Sequence, residues 1–393
     1  MKILIVHNFY MHRGGEEKTL FFEHKLLEEN GHKVILFTKD SRDISSYNLA
    51  KKIGLCINAI FSFDTYKKIK KIIKSEKPDI AHLQNIFPLI SPSVYYALKK
   101  HNIPIVQTLH NYRLLCLNGL FVNNSGETCE KCMYGCFIHG ILSKCYRRSF
   151  IQSLIMAISI YFHRKLGTFK NKVDLYISPS VFLKNKMIES GLHEDKIEVV
   201  SHCIDTDFLA PVLDYDTYGI YMGRLSKEKG VLTLVKAFQR IPDLRLKIVG
   251  EGPLHDEVDN FVMMNKLKNV ELLGFIKGEE RFEILKKALF TVIPSVCYEN
   301  FPWVILESFA LGVPVIASRI GGIFDLIDEM KNGILFNPDD VEDLTKKISI
   351  LASDPRLMLS MRHNARQRAE EEYSLAAGYK RRMEIYGQLV PNG

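Results

Sequence analysis

Glu299-Asn300-Phe301-Pro302-Trp303-Val304-Ile305-Leu306-Glu307 lies between two apolar segments of the sequence. Residues 290–294, just before it, are typical of a short buried strand, and residues 304–311 predict a helix that Gly312 ends. Residues 314–317 then predict the next strand. A carboxylate inside such an apolar helix is costly to bury without a partner, on the order of several kcal/mol. We therefore expect Glu307 to contact hydroxyl groups, a cation or solvent.

This alternation of strands and helices extends over the whole 393-residue chain. In the first half, the pattern predicts strands at 2–7, 33–38, 79–83, 104–109 and 174–178, and helices at 16–30, 91–100 and 181–190. After a polar stretch at 205–216, it predicts strands at 219–222, 245–249, 270–273, 290–293 and 314–317, and helices at 231–240, 254–266, 279–288 and 304–311. Such alternation is typical of an α/β fold with parallel sheets. We expect two doubly wound domains facing a central cleft, with ligands beyond the carboxyl ends of the strands.

Composition is that of a globular protein, with 47% apolar and 25% charged residues. The apolar start of the chain turns polar at His7, which suits a first strand better than a signal peptide. The longest apolar stretch, residues 150–162, holds 13 residues, whereas a membrane-spanning helix needs about 20. We therefore expect a cytoplasmic protein.

Charge is distributed unevenly between the two halves. Residues 1–200 carry 29 Lys and Arg against 17 Asp and Glu, and residues 201–393 carry 24 against 28. A basic half with apolar patches can dock on the anionic inner face of a membrane as a peripheral protein, although lysine pairs also occur on ordinary solvated helices. Residues 150–162 fit either a buried helix, which we favour, or an interfacial helix. We recognise no nucleic-acid-binding module and expect no nucleic acid partner.

A basic loop follows the strand at 219–222 and opens the next helix. It reads Gly223-Arg224-Leu225-Ser226-Lys227-Glu228-Lys229-Gly230. Arg224 can bind diphosphate oxygens through two parallel hydrogen bonds, Lys229 adds a mobile charge, and the helix N-terminus adds N–H groups. An ordinary basic surface loop is the alternative. Gly250-Glu251-Gly252-Pro253 is a second strand-to-helix turn, where the backbone can approach a base or a phosphate.

Taken together, these segments resemble glycosyltransferase family 4, a group of retaining enzymes with the GT-B fold. The likeness covers nearly the whole chain and rests on the order G-R-L-x-x-x-K-G, V-G-x-G-P, G-F, E-x-F-P-x-x-x-x-E and G-x-P-V-I-A-S, which begin at Gly223, Val249, Gly274, Glu299 and Gly312. It implies a hexosyltransferase that takes a nucleotide-diphosphate sugar, either a UDP- or a GDP-sugar, and needs no metal for the chemistry.

The resemblance also implies roles for residues of the second half. Arg224 and Lys229 would hold the donor diphosphate. Glu299 would accept hydrogen bonds from the transferred sugar and Glu307 from the ribose, which suits carboxylates because a diphosphate would repel them. The remaining donor-binding positions would be Gly250, Phe275, Asn300, Phe301 and Pro302.

In the first half, the resemblance points to two strand ends. The loop Arg13-Gly14-Gly15-Glu16 follows strand one, and its glycines Gly14 and Gly15 allow positive φ and close backbone approach to donor or acceptor. His110 ends the strand at 104–109 and would contact the donor sugar near the reacting centre, as a neutral imidazole or as its cation. One departure from the family pattern is His202-Cys203, where the family commonly has Asn-Gly.

Five cysteines fall within 30 residues of the first half. In a cytosolic chain such a group suits metal or redox chemistry better than structural disulfides. A structural zinc ion is one interpretation, and a set of reduced thiols is the other. The candidate zinc ligands are Cys116, Cys129, Cys132 and Cys145, with Cys136 as the fifth cysteine.

These inferences combine into one prediction. An acceptor-side Rossmann-like domain at 1–204 contains the cysteine insert at about 111–147, a linker covers 205–216, a nucleotide-sugar-binding Rossmann-like domain covers 217–370, and a C-terminal helix at 371–393 packs back on the first domain. The enzyme would transfer a sugar with retention to a lipid-linked or surface glycan, as in polysaccharide or lipopolysaccharide synthesis. A nucleotide-sugar epimerase or hydrolase, and a non-catalytic nucleotide- and metal-binding scaffold, are the alternatives.

Overall fold

The computed structural model describes residues 1–11, 14–212 and 214–390, except for the side chains of Ser45 and residues 49–53. The chain divides into two compact units. Unit 1 comprises Met1–Asn124, Cys129–His202 and the chain from Gly378 onward, and unit 2 comprises Ser125–Thr128 and Cys203–Ala377. The polar segment at 205–216 therefore belongs to unit 2.

Unit 1 contains a parallel sheet flanked by helices. Its strands are β1 (Lys2–Phe9), β2 (Lys33–Asp40), β3 (Ile80–Leu83), β4 (Ile105–Thr108), β5 (Leu175–Ser178) and β6 (Ile197–Val199). Its helices are α1 (Gly15–Glu29), α2 (Leu49–Ile60), α3 (Phe63–Glu76), α4 (Ser93–Lys99), α5 (Ile138–Leu142), α6 (Phe150–Lys165), α7 (Thr168–Lys172) and α8 (Val181–Glu189). The spatial order is β2-β1-β3-β4-β5-β6, so the direction of winding reverses between β1 and β3.

Unit 2 repeats this plan with a different strand order. Its strands are β7 (Tyr218–Met222), β8 (Arg245–Val249), β9 (Val270–Gly274), β10 (Phe290–Ile293), β11 (Val315–Ser318) and β12 (Gly333–Phe336). Its helices are α9 (Val231–Gln239), α10 (His255–Met264), α11 (Glu280–Lys286), α12 (Trp303–Ala310), α13 (Val341–Ser353) and α14 (Pro355–Glu372). The order β12-β11-β10-β7-β8-β9 reverses between β10 and β7. Crevices at such reversals, beyond the strands' carboxyl ends, are the usual ligand sites of doubly wound sheets.

Local sequence explains the central elements of unit 2. All four residues of β10 and of β11 are buried, as expected for apolar strands covered on both faces. Pro302 precedes the first turn of α12, and Gly312 ends the helix with φ 65°. The last helix, α15 (Leu375–Leu389), lies mainly in unit 1, where Ile385 and Tyr386 pack with Ile3 and Ile5 of β1.

The two parallel sheets confirm the predicted α/β class, and every predicted strand is present with its ends within two residues. The sequence prediction missed β6, β12, α2, α3, α5, α7, α13 and α14. The favoured interpretation of residues 150–162 as a buried helix is wrong, because α6 exposes one whole side of apolar residues.

Candidate active site

Glycines bring the strand-end loops of unit 2 close together. Gly230, which precedes α9, has φ 66°, and a Cβ atom there would lie 1.8 Å from the carbonyl oxygen of Pro294. Gly250 follows β8 with φ 145°, and a Cβ atom there would lie 1.9 Å from the carbonyl oxygen of Gly223. No side chain fits at either distance. The loops after β7, β8 and β10 therefore meet next to the reversal in strand order.

An ion pair joins the loop after β7 to the loop after β10. Lys229 Nζ donates to Glu299 Oε1, which also accepts from Ser295 Oγ at 2.6 Å. The Lys229 and Glu299 side chains are 31% and 14% exposed. Burial disfavours both charges, but their mutual attraction outweighs it, so the pKa of Glu299 is lowered and the pKa of Lys229 is raised. Both groups are therefore charged at neutral pH.

Glu307 of α12 is buried and is paired with a cation from α11. Arg281 donates from Nη2 to Glu307 Oε1 at 2.7 Å and from Nη1 to Oε2 at 3.3 Å. Two parallel N–H···O bonds fix the orientation of the carboxylate as well as its position. The partner that the apolar helix requires is thus a guanidinium.

The other predicted donor-binding residues are placed differently from one another. Arg224 is exposed, and its carbonyl oxygen accepts from Tyr221 Oη at 2.8 Å. Phe275 follows the edge strand β9 and is 64% exposed. Phe301 is buried and its ring packs edge-on against Tyr373, so its side chain belongs to the core. Asn300 and Pro302 are half-buried in the segment that enters α12.

The glycine pair of unit 1 lies between β1 and α1. Gly14 has extended backbone with φ −147°, and a Cβ atom there would meet nothing within 4 Å. The positive φ allowed by the sequence is thus not used at Gly14, and Arg13 lies outside the described residues. Glu17 closes this turn, since its carboxylate accepts from Gly14 N at 2.7 Å and from Tyr10 N at 3.2 Å.

A second acid of this loop, Glu16, faces a polar pocket at the carboxyl ends of β1, β3 and β4. Glu16 Oε1 accepts from Asn111 Nδ2 and from Tyr10 Oη, whereas its Oε2 is buried with no hydrogen-bond partner among the described residues. Burial raises the pKa of Glu16 to about 7, against the opposing effect of the Asn111 hydrogen bond. Gln84, His110 and Asn111 line the same pocket.

His110 is held by a chain of hydrogen bonds that begins on the last helix. Arg382 pairs with Glu23 Oε1 at 2.7 Å, and Gln84 Nε2 donates to Glu23 Oε2 at 2.6 Å. This fixes the Gln84 amide so that its Oε1 faces His110 Nε2. Because an amide oxygen can only accept, Nε2 must carry the proton, and in a neutral ring Nδ1 then carries none.

The neutral form follows from the surroundings of the ring. Burial, with the neighbouring His202 second, holds the pKa of His110 well below its usual range. His202 stacks on His110 with ring centroids 5.8 Å apart, and burial lowers its own pKa to about 3. The departure from the family pattern at 202 therefore supplies a neutral ring beside His110. Of the two protonation states that the sequence left open for His110, the geometry favours the neutral one.

The cysteine insert brings four of its thiols near one another. Cys116 and Cys132 are buried, and burial raises the pKa of Cys132 to about 12, with smaller contributions from Cys116, Cys145 and Cys129. Cys116 Sγ donates to Asn118 Oδ1 at 3.0 Å. Within the described ranges, no group of three or more His, Cys, Asp or Glu side chains is arranged to hold a metal ion.

Two family models match this chain. Residues 13–208 match the model described as Glycosyltransferase Family 4, and residues 213–370 match the model described as Glycosyl transferases group 1. The chain belongs to the family 4-type glycosyltransferases. This family 4 protein is therefore a glycosyltransferase enzyme, which removes the support for a non-catalytic scaffold.

Individual known proteins are similar to this chain over most of its length. An uncharacterized glycosyltransferase of Methanocaldococcus jannaschii is 28% identical over 377 residues, 93% of either chain. An uncharacterized 42.6 kDa protein in the cps region of Klebsiella pneumoniae is 25% identical over 82% of this chain and 79% of its own. The crystal structure of Anabaena HepE in complex with UDP matches with TM-score 0.68 at 18% identity, covering 99% of this chain and 100% of that one. The last match confirms the predicted GT-B fold.

Sequence reasoning missed several residues that shape these sites. Arg281 is separated from Glu307 by a whole strand, and Arg382 from Glu23 by 359 positions. No local spacing could reveal either pair. Gln84 was within reach of prediction, because it is the first polar residue after the buried strand β3.

Proposed function

We propose that this glycosyltransferase moves a hexose from a UDP- or GDP-sugar to a hydroxyl acceptor with retention of the anomeric configuration. Unit 2, which includes the predicted domain 217–370, would bind the donor. Unit 1, with residues 1–204 and the last helix, would bind the acceptor. The observation that carries the proposal is the Lys229–Glu299 pair, set between loops that only glycines allow to meet.

The charges of unit 2 suit a bound nucleotide diphosphate. Arg224 and Lys229 stabilise the negative charge that grows on the leaving diphosphate. Lys229 is neutralised by Glu299 before the donor arrives, so donor binding would transfer Lys229 to a phosphate oxygen and free Glu299 for a sugar hydroxyl. Arg281 holds Glu307 in one orientation, which suits a carboxylate that accepts from two ribose hydroxyls.

Retention suits a displacement on one face of the sugar. The bond from the anomeric carbon to the diphosphate oxygen breaks, and a bond to the acceptor oxygen forms on the same face. The acceptor proton passes to the leaving phosphate oxygen, so no protein nucleophile is required. His110, neutral with Nε2 protonated towards Gln84, would contact the donor sugar near the reacting centre.

We infer a lipid-linked or surface glycan as the acceptor, with the enzyme peripheral on the inner face of the membrane. The Klebsiella relative from the cps region supports a polysaccharide product. None of the described helices is long and apolar enough to cross a bilayer, so attachment would be at the surface.

We also propose that Cys116, Cys129, Cys132 and Cys145 close on a structural zinc ion when the metal is supplied. Their mutual proximity and the buried Cys132 support this assignment. Zinc content of purified protein tests it, with Cys132→Ser expected to lose the metal and Cys56→Ser, outside the insert, expected to keep it. Equal zinc content in both variants would refute the site.

Calorimetry with UDP and GDP, followed by a transfer assay, tests the main proposal. Arg224→Ala should weaken nucleotide binding roughly tenfold or more, as expected for a lost charge-assisted hydrogen bond. Arg240→Ala, which removes an exposed arginine beyond α9, is the matched control. Free sugar released without any acceptor would favour the hydrolase alternative, and an inverted product anomer in NMR would exclude retention.

A further inference from the structure

Helix α6 in unit 1 presents its more polar side to the protein and its apolar side to solvent. Its buried residues are Ser153, Met156, Ala157, Ser159, Ile160 and His163. Six large apolar side chains on the opposite side are 36% to 65% exposed. They recur at spacings of one, three and four residues and so form one continuous face. This α6 stripe consists of Phe150, Ile151, Leu154, Ile158, Tyr161 and Phe162.

Hydrogen bonds fix this orientation of the helix. Ser159 Oγ donates to Ala59 O at 2.9 Å, and His163 Nε2 donates to Ile60 O at 2.9 Å. His163 Nδ1 then accepts from Thr168 Oγ1 at 3.0 Å, which requires the neutral ring, and burial lowers the pKa of His163 accordingly. Rotation of α6 to bury the stripe would break all three bonds, so the outward apolar face is part of the folded structure.

A groove lined by aromatic rings and lysines lies beside the stripe. All of its charged lining residues are lysines, and Phe63 at its edge is 66% exposed. Lys99 pairs with Asp174 at 2.6 Å, and Lys172 lies 4.3 Å over the Tyr96 ring. We call it the lysine groove, and it is lined by Phe61, Phe63, Tyr66, Lys67, Lys70, Tyr96, Lys99, Lys100 and Lys172.

Ring contacts through the buried His163 place the stripe and the groove next to each other. Phe162 of the stripe packs against His163 at 5.5 Å, and His163 packs against Tyr96 of the groove at 6.0 Å. Tyr96 in turn contacts Phe61 at 5.7 Å. With His163 buried between them, the stripe and the groove are neighbours on unit 1, and the positive charge lies to one side of the apolar stripe.

We propose that this surface docks on a bilayer of anionic phospholipid, with the α6 stripe among the acyl chains and the lysine groove on the headgroup phosphates. An exposed apolar face next to lysines fits a lipid interface because the two attractions act together. The inference rests on the proposed membrane-linked function and names the surface that performs it.

Sedimentation with vesicles tests the charge contribution without any turnover. Wild-type protein should bind vesicles of phosphatidylcholine with one-third phosphatidylglycerol and bind pure phosphatidylcholine much less. Lys67→Gln/Lys70→Gln should weaken binding to the anionic vesicles roughly 25-fold, since each lysine near such a surface contributes roughly fivefold. Lys236→Gln/Lys346→Gln removes two exposed lysines from α9 and α13 of unit 2 and should change little. Equal binding of both variants would overturn the proposal.

A second pair of variants tests the apolar contribution. Ile151→Ser/Phe162→Ser should lower binding to the anionic vesicles at least tenfold. Met264→Ser/Leu359→Ser, at exposed apolar positions of unit 2, should bind as wild type. Circular dichroism and UDP affinity check that all variants are folded.

Two further measurements, of oligomeric state and of sugar transfer, distinguish lipid docking from protein association and from the proposed function. A dimer in lipid-free solution that Ile151→Ser/Phe162→Ser dissociates would make the surface a protein interface and overturn the proposal. Vesicle binding by a protein that transfers no sugar would refute the proposed function and leave the docking surface supported. Normal sugar transfer to a soluble acceptor without vesicle binding would refute the docking surface and leave the proposed transferase function supported.

Discussion

Replacement of Lys229 by methionine tests the ion pair between the β7 and β10 loops. Methionine keeps most of the side-chain length but removes the charge, so the Glu299 carboxylate keeps its bond from Ser295 Oγ and loses its cation. Removing one partner of a buried pair costs about 3–5 kcal/mol. Lys229 is 31% exposed, so solvent screens part of this and we expect a loss of about 2 kcal/mol in the free energy of unfolding of unit 2.

Trp303 makes this measurement local. It is the single tryptophan of the chain and begins α12, four residues after Glu299. Tryptophan fluorescence during urea unfolding therefore reports on unit 2. Lys236→Met, at an exposed lysine of α9, is the control, and Lys229→Met/Glu299→Gln should regain most of the lost stability because no unpaired carboxylate remains.

The stability that Lys229→Met loses relative to the wild type should also depend on pH. The lowered pKa of Glu299 in the wild type stabilises the fold above the unfolded carboxyl pKa of about 4.3, and this contribution is lost as pH falls through the lower folded pKa. Without Lys229, burial raises the Glu299 pKa instead. The difference between wild type and Lys229→Met should be largest at neutral pH and should shrink in acid. A loss in the free energy of unfolding that is equal at neutral and at acid pH would refute this account of the ion pair. A loss that persists in Lys229→Met/Glu299→Gln would refute it as well.

Three further variants give independent tests. Arg281→Ala should reduce the preference for UDP over 2′,3′-dideoxy-UDP about tenfold in calorimetry, because Glu307 loses the guanidinium that orients it. The control Arg240→Ala should keep that preference. An unchanged preference in Arg281→Ala would contradict the proposed contact between Glu307 and the ribose. The Glu16 pKa of about 7 lies above its unfolded value, so ionisation of Glu16 should lower wild-type stability as pH rises from about 4.5 to 7. Glu16→Gln should lack this loss, which circular dichroism melts at several pH values would measure. Parallel pH profiles of the two proteins would argue against the raised pKa. Gly230→Ala should yield little folded protein, since its Cβ would lie 1.8 Å from Pro294 O, whereas Gly387→Ala meets nothing within 4 Å and should fold; normal thermal unfolding of Gly230→Ala would show that the loops can separate.

Periodicity in the sequence is sufficient for most of this fold because buried parallel strands are short apolar runs. β10 and β8 match their predicted bounds, and α12 differs by one residue at either end. β6 was missed because three residues give no measurable period. α3 was missed because its lysines interrupt the apolar pattern, although Ile69 and Ile73 repeat at four residues and are buried.

The candidate site was predictable where a motif is local and unpredictable where partners are distant. Lys229 and Glu299 were both singled out, but their contact across two loops was not. The expected orientation of α6 was wrong for a physical reason: apolar residues were assumed to face inward. Serines and a histidine bonded to backbone carbonyls take that position instead.

The bonds that hold His110 have a consequence for biosynthesis. Arg382, which anchors Glu23 and through it Gln84, is synthesised after every strand of both sheets. A nascent chain with both sheets already formed would still have an unanchored imidazole. Sugar transfer should therefore begin only once α15 has been synthesised and has packed on unit 1, so that a nascent chain with both sheets formed does not yet consume nucleotide sugar.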